Sequence, residues 1–386
     1  MNTRTRNFHE FTKYFIEKYK KYRSFTIEPM MPILLIETFS RHVMMNRARL
    51  LPPGLGLLEL LSSLDSAFRQ VSELLRGLDI PNVHVKIDQD NAGSPEDKIR
   101  GKVENIVLNM LMTTNCAYYI VSSARKEVVS IKRLRQGDFI LAFDPIDGLE
   151  NGSYLLPMGS TFGIYRSNQE YENYKDLLFT CGEEALVVAG YIIYGSCTDL
   201  VITFSPEKRV YEFTFDAVLG EFILINDDFQ IPLYGRVCCI DKANTNEWQY
   251  KSLGDFITNT NYYIKHLGSF VSNFHLVMRK GGVIIDPPTE TFPNGQFQIL
   301  TKLNPLAFVC KAAGGKSYGG DLITNLLDIC AQNLDETAPC IMGSLHNVNF
   351  WDKQEKPIIP RKRRSIKLNE MRESRTMSNL YLSPKE

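Results

Sequence analysis

Asp144 and Asp147 are the residues of this chain whose types and spacing could do chemistry. They stand in Asp144-Pro145-Ile146-Asp147-Gly148, directly after the apolar run Ile140 to Phe143, which predicts a short strand buried on both faces. Pro145 fixes φ between the carboxylates and Gly148 frees the backbone behind them, so both side chains can converge on one hard cation. That is the outline of a metal-dependent phosphatase site. The competing reading is structural: Asp144 closes the strand and Asp147-Gly148 makes an ordinary turn, which is the commoner fate of an isolated pair of this kind.

Several elements could position such a pair. The stretch from Ile33 to Arg47 has the period of a buried helix, and Leu57, Leu60, Leu61, Leu64, Phe68, Val71, Leu74, Leu75 and Leu78 mark one face of a second, ended by Gly77 and Pro81. Residues 91–100 read as a polar loop, followed by a helix carrying Val103, Ile106, Val107 and Met110 and a strand at Tyr118 to Val121. Val187 to Tyr194, Leu200 to Phe204, Val210 to Phe215 and Glu221 to Ile225 read as successive strands punctuated by Gly195, Pro206 and Gly220. Asn304-Pro305 predicts a helix with an Asn cap, stopped by Gly314-Gly315.

Composition bounds the rest. The chain has 386 residues, 44% hydrophobic and 23% charged, with a formal net charge of zero, which argues for no nucleic-acid partner. No apolar run is long enough to span a bilayer, so no membrane association is expected. The eight cysteines show no zinc-binding spacing and read as reduced core residues of a cytoplasmic protein. His266 and His275 stand alone, without a nucleophile motif, and read as structural. Four regions are expected: a basic N-terminal arm over 1–30 with Phe8, Phe11, Phe15 and Tyr19 on one face, a domain over 31–230, a second over 231–351 with its boundary near Ile231-Pro232, and a disordered charged tail over 352–386 whose densest point is Arg361 to Arg364.

The sequence Asp144-Pro145-Ile146-Asp147-Gly148, the run Ser160 to Arg166, Ala189 to Ser196, Asp216 to Leu224 and Asn304 to Gly320 together resemble fructose-1,6-bisphosphatase, over about Glu37 to Met342. The resemblance implies an α/β fold, a layered α-β-α-β-α sandwich with two packed sub-domains, a homotetramer, and Mg²⁺-dependent sugar-bisphosphate hydrolysis in gluconeogenesis. It also implies where the metal and substrate should sit. Asp144 and Asp147 match metal ligands, while the matching positions for the others read Ser123, Ala124 and Lys302, and two loop aspartates read Ser94 and Arg100. Gly148 keeps a backbone able to hold a phosphate, but Leu149-Glu150 replace a pair of serines. In register with the sugar and second-phosphate site are Asp241, Asn244, His266, Asp286, Gln296 and Lys265, of which Lys265 alone keeps a phosphate-compatible charge.

Two functions follow as expectations. The first is a catalytically impaired relative that needs no cofactor, packs with itself or with an active paralogue, and binds a partner or a sugar phosphate. Lys302, joined by Arg100, would stand where Mg²⁺ is held. The second is a working Mg²⁺ enzyme that recruits Asp97, Glu127 or Glu150 to the site. The resemblance also places an AMP pocket at residues reading Gly56, Leu58, Asp138 and Phe139, with Arg166 retained. An aspartate repels a nucleotide phosphate and a leucine cannot hydrogen-bond it, so calorimetric titration with AMP is expected to give no saturable heat. Saturation at micromolar AMP would contradict that reading.

Overall fold

The fold comes from a computed structural model that describes residues 36–51, 56–77, 95–114, 117, 119–131, 139–166, 182–205, 207–243, 245–250, 252–259 and 261–352. The N-terminal arm, Ser94, Asp138, Asn244 and the Arg361 to Arg364 tail lie outside the described residues. The described residues from Glu37 to Asp352 belong to one compact unit.

The first sheet contains β1 (Tyr119–Ser122), β2 (Val129–Ser130), β3 (Phe139–Asp147), β4 (Met158–Arg166), β5 (Leu186–Tyr194), β6 (Thr198–Phe204), β7 (Val210–Asp216) and β8 (Glu221–Asn226). They lie in the order β2-β1-β3-β4-β5-β6-β7-β8, antiparallel throughout except where β1 runs parallel to β3. The second sheet joins β9 (Val237–Cys239), β10 (Tyr263–Lys265) and β11 (Gly282–Asp286) to β13 (Lys316–Gly319), β14 (Thr324–Asn325) and β16 (Cys340–Gly343). Its order is β10-β9-β11-β16-β13-β14, and a small ribbon pairs β12 (Phe297–Gln298) with β15 (Thr337–Ala338).

Strand β3 shows why the sheets stack. Its side chains alternate: Leu141 and Phe143 enter a core with Leu60, Leu64 and Phe68 of the helix Leu57–Arg76, while Ile140 and Ala142 enter another with the helices Phe270–Lys280 and Asn304–Ala312. A strand covered by helices on both faces must be apolar at every position, which is the continuous run seen in the sequence. The second core reaches Ile284 and Met342 of the second sheet. That sheet's far face packs Val283, Ile285 and Ile341 against Leu253 and Phe256 of the helix Ser252–Asn259 and Trp351 of the helix Leu345–Asp352. The layers therefore alternate α-β-α-β-α.

Three local expectations need correction. The first described helix runs Phe39–Met45, because Thr38 accepts a hydrogen bond from the Arg41 N–H as its cap and Glu37 pairs with Leu224 at the edge of β8. The helix expected after a polar loop instead starts at Pro95, so Asp97 and Arg100 are helical: proline suits a first turn, and Glu96 and Asp97 favour the positive end of the helix dipole. Asn304 caps nothing, since a π-helical turn over Ile299–Leu303 runs straight into the helix Asn304–Ala312. Of the cysteines, Cys238, Cys239, Cys310 and Cys340 are buried free thiols, as expected, and Cys197 is free but exposed. Cys330 departs from the expectation, being disulfide-bonded.

Among the described residues no helix is long and apolar enough to cross a membrane. Gly159 on β4 marks a close approach of an inner helix: a Cβ there would stand 2.4 Å from Val271 Cγ1 and 2.8 Å from the Ile192 carbonyl oxygen. Gly159→Ala should therefore lose about 1–3 kcal/mol in urea unfolding through overpacking. An unchanged midpoint would show that the helix can shift freely.

Candidate functional site

The site begins with an irregularity in β3. Asp144 pairs with Thr161 and Asp147 with Gly159, so Pro145 and Ile146 together face the single residue Ser160. Residues three apart on a regular strand point to opposite faces; the extra residue of this bulge returns Asp147 to the face of Asp144. The strand thus continues through both aspartates, rather than ending before them as the sequence suggested. Ser160 Oγ donates to the Pro145 carbonyl at 2.6 Å, satisfying a backbone group that the bulge leaves outside the ladder.

Lys302 arrives from the π-helical turn. The wider turn points carbonyls off the helix axis, and two side chains of β4 receive them: Thr161 Oγ1 donates to the Thr301 carbonyl at 2.6 Å and the Tyr165 hydroxyl to that of Leu300 at 2.8 Å. This docking aims the Lys302 ammonium between the aspartates. Its Nζ lies 2.8 Å from Asp144 Oδ2 and hydrogen-bonds Asp147 Oδ1, with only 11% of the side chain exposed. It also stands 5.0 Å from the centre of the Phe297 ring.

The remaining carboxylate oxygens are taken too. Ser123 Oγ donates to Asp144 Oδ1 at 2.5 Å. Asp147 Oδ2 accepts from Ser269 Oγ at 2.6 Å and from the Val271 N–H at 3.0 Å. Ser269 is the N-cap of the helix Phe270–Lys280, so Asp147 sits at that helix's positive end. Ser269 was not anticipated; a serine before an apolar run signals a cap, but nothing local says that it reaches Asp147. Gly148 makes the approach possible. At φ +71° it turns the chain, and a Cβ on it would lie 2.3 Å from Ser269 Cβ.

Charge follows this geometry. Burial alone would pull the Lys302 ammonium down, but Asp144 and then Asp147 hold it above the ordinary lysine value of 10.5. Burial likewise pushes the Asp147 carboxyl up, yet the Lys302 charge and the hydrogen bonds from Lys302, Ser269 and Val271 leave it below the usual 3.8. Near the same lysine, Asp286 accepts from the Gln296 N–H at 2.9 Å and its Nε2 at 3.1 Å. Burial pushes Asp286 up to about 6, against those bonds and the attraction of Lys302.

The other expected residues do not join the centre. Arg100, half-buried on its helix, makes no ion pair among the described residues, so Lys302 is the lysine or arginine that reaches the aspartates. Ala124 is exposed and offers no ligand atom. Lys265 is exposed on the edge strand β10 and pairs with neither aspartate. Asp97, Glu127 and Glu150 are exposed, and none pairs with Lys302. A divalent ion does not fit this arrangement: all four oxygens of Asp144 and Asp147 are engaged, and an ammonium fills the bridging position between them.

A model of the family described as fructose-1-6-bisphosphatase, N-terminal domain, matches residues 37–227, and its C-terminal counterpart matches 231–355. The chain belongs to the fructose-1,6-bisphosphatase family. Rat fructose-1,6-bisphosphatase isozyme 2 is 29% identical over 322 residues, 81% of this chain and 93% of that one. The class 1 enzyme of Chlorobaculum parvum is 32% identical over 245 residues, 61% of this chain and 72% of its own. Leishmania major fructose-1,6-bisphosphatase in holo form superposes with a TM-score of 0.72 at 22% identity, covering 81% of this chain and 97% of that chain, and so shares the fold.

Lys302→Met keeps most of the length of the side chain and leaves two buried carboxylates facing one another. It should cost about 3–5 kcal/mol of unfolding free energy at pH 7. The stability that Asp147 confers is present above the ordinary aspartate value of 3.8 and is lost as pH falls through its lower folded value, so the deficit should shrink in acid. Equal stability of the two proteins at pH 7 would show that the ion pairs contribute nothing net.

Proposed function

We propose that this chain is a catalytically impaired member of the fructose-1,6-bisphosphatase family, a cytoplasmic pseudophosphatase that acts as a binding or regulatory subunit in sugar-phosphate metabolism. The observation that carries the reading is the Lys302 ammonium, bridged between Asp144 and Asp147. In a relative that uses Mg²⁺, the metal would polarise a phosphate and activate water. Here a fixed monovalent cation neutralises part of the same carboxylate charge and has no open coordination position for either. The resemblance assigns further metal carboxylates to the positions of Ser123 and Ala124, and Ser123 spends its hydroxyl on Asp144. At the second-phosphate position, Asp286 and Gln296 bond to each other, which leaves an acid where an anion would have to enter.

Lost turnover leaves binding as the activity. The partner is a second copy of this chain or an active paralogue with the same packing, and a sugar phosphate is the candidate small ligand, reached through Gly148 and Lys265. Phosphate release from fructose 1,6-bisphosphate with Mg²⁺ is expected at background level, and Mg²⁺ or Mn²⁺ titrated by calorimetry should give no binding at millimolar concentration. Restoring acids together at Ser123, Ala124, Lys302 and Arg100 should recover measurable release. Turnover by the parent protein at the rate of an ordinary family enzyme would instead establish a working Mg²⁺ phosphatase and refute the reading.

A further inference from the structure

Away from the cleft, a second group of ionisable side chains lies between the first sheet and the helix Phe270–Lys280. Asp199 on β6 pairs with Thr214 and Val201 pairs with Glu212, so the two carboxylates lie on one face of the sheet, two positions apart along the ladder. His275 descends on them from the helix. One ligand-capable atom from each of Asp199, Glu212 and His275 lies within 4.8 Å of the others. Arg279, one turn after His275, hydrogen-bonds Glu212, which is 1% exposed, and stands 3.9 Å from Asp199 Oδ2. Two carboxylates thus share one guanidinium. Burial accordingly pushes the Asp199 carboxyl up, against a hydrogen bond from Thr214 and the charge of Arg279.

The histidine supplies an independent observation. Arg279 Nε–H can only donate, and its contact of 3.4 Å with His275 Nε2 requires a lone pair there. The ring proton is then on Nδ1 and is donated to the Tyr191 hydroxyl, 3.0 Å away. Burial, helped by Arg279, holds this imidazole neutral, with its pKa down to about 3. A neutral imidazole that donates from Nδ1 and carries its lone pair on Nε2 is the form that ligates a metal, and here that lone pair is turned to the Arg279 Nε–H, so a metal would take it only as Arg279 leaves. Arg279 also has a way out, with 37% of its side chain exposed and its guanidinium 4.7 Å from the centre of the Phe229 ring.

We propose that Asp199, Glu212 and His275 form a site for a transition-metal dication of the Zn²⁺ class, which displaces Arg279 as the counter-cation of the two carboxylates. One imidazole nitrogen with two carboxylate oxygens suits Zn²⁺ or Co²⁺ better than Mg²⁺, which favours oxygen ligands and several waters. The site is separate from the Asp144–Lys302–Asp147 centre and does not depend on the loss of catalysis there. Arg279 competes with the metal, so removing its charge should strengthen binding.

The full-length protein, stripped of metal by chelator, is titrated with Co²⁺ while its visible d–d absorption is followed, and Zn²⁺ is then added in competition. A saturable band displaced by Zn²⁺ is expected, about tenfold or more tighter in Arg279→Gln and about tenfold or more weaker in His275→Gln and Asp199→Asn. No saturable band in either the parent or Arg279→Gln, or a band that His275→Gln and Asp199→Asn leave unchanged, overturns the proposal. Far-UV circular dichroism checks each fold, and Asp199→Asn alone decides if His275→Gln does not fold.

Discussion

An ammonium held between two buried aspartates is the interaction on which the centre of this molecule depends. At 2.8 Å and an effective dielectric of about 20, Lys302 and Asp144 attract by about 6 kcal/mol before desolvation is set against it. Burying each ion costs several kcal/mol, so the assembled group is worth much less than its Coulomb energy, and its members constrain one another strongly. None can be removed singly without leaving charge in a nearly dry interior. The bulge in β3, the π-helical turn and the Ser269 cap can all be understood as the geometry that this one contact requires.

The constraint also ties the layers together. Asp147 belongs to the first sheet, Ser269 and Val271 to one inner helix, and Lys302 to the turn that starts the other. A charged knot therefore sits beside the apolar core that separates the two sheets, and the close fit of Gly148 against Ser269 shows how little room is left. In a family member that holds a metal, a cation recruited from solution would link the same elements. Here the linking charge is covalently part of the chain.

Arg279 offers a parallel. It too is a side-chain cation set among acids, between Asp199 and Glu212, but it lies at the rim, with a third of its side chain in solvent, whereas Lys302 is almost enclosed. The difference in exposure separates a cation that can leave from one that cannot. Burial costs Lys302 most of its hydration, while Arg279 can recover its own by a rotation of the side chain.

The sequence alone determined the layering and the family. An unbroken apolar strand at Ile140 to Phe143, the leucine stripe from Leu57 to Leu75 and evenly punctuated strands after Val187 are local patterns, and local patterns fix which faces must be covered. It also exposed the odd residue, a lysine at 302, through resemblance. Tertiary structure decided what that lysine does. The bulge that turns Asp147 back toward Asp144, the π-turn that aims residue 302, the exclusion of Arg100 and the convergence of Asp199, Glu212 and His275 all join positions distant in the chain. A side chain's partners across such distances depend on how the layers dock, and no short stretch of sequence carries that information.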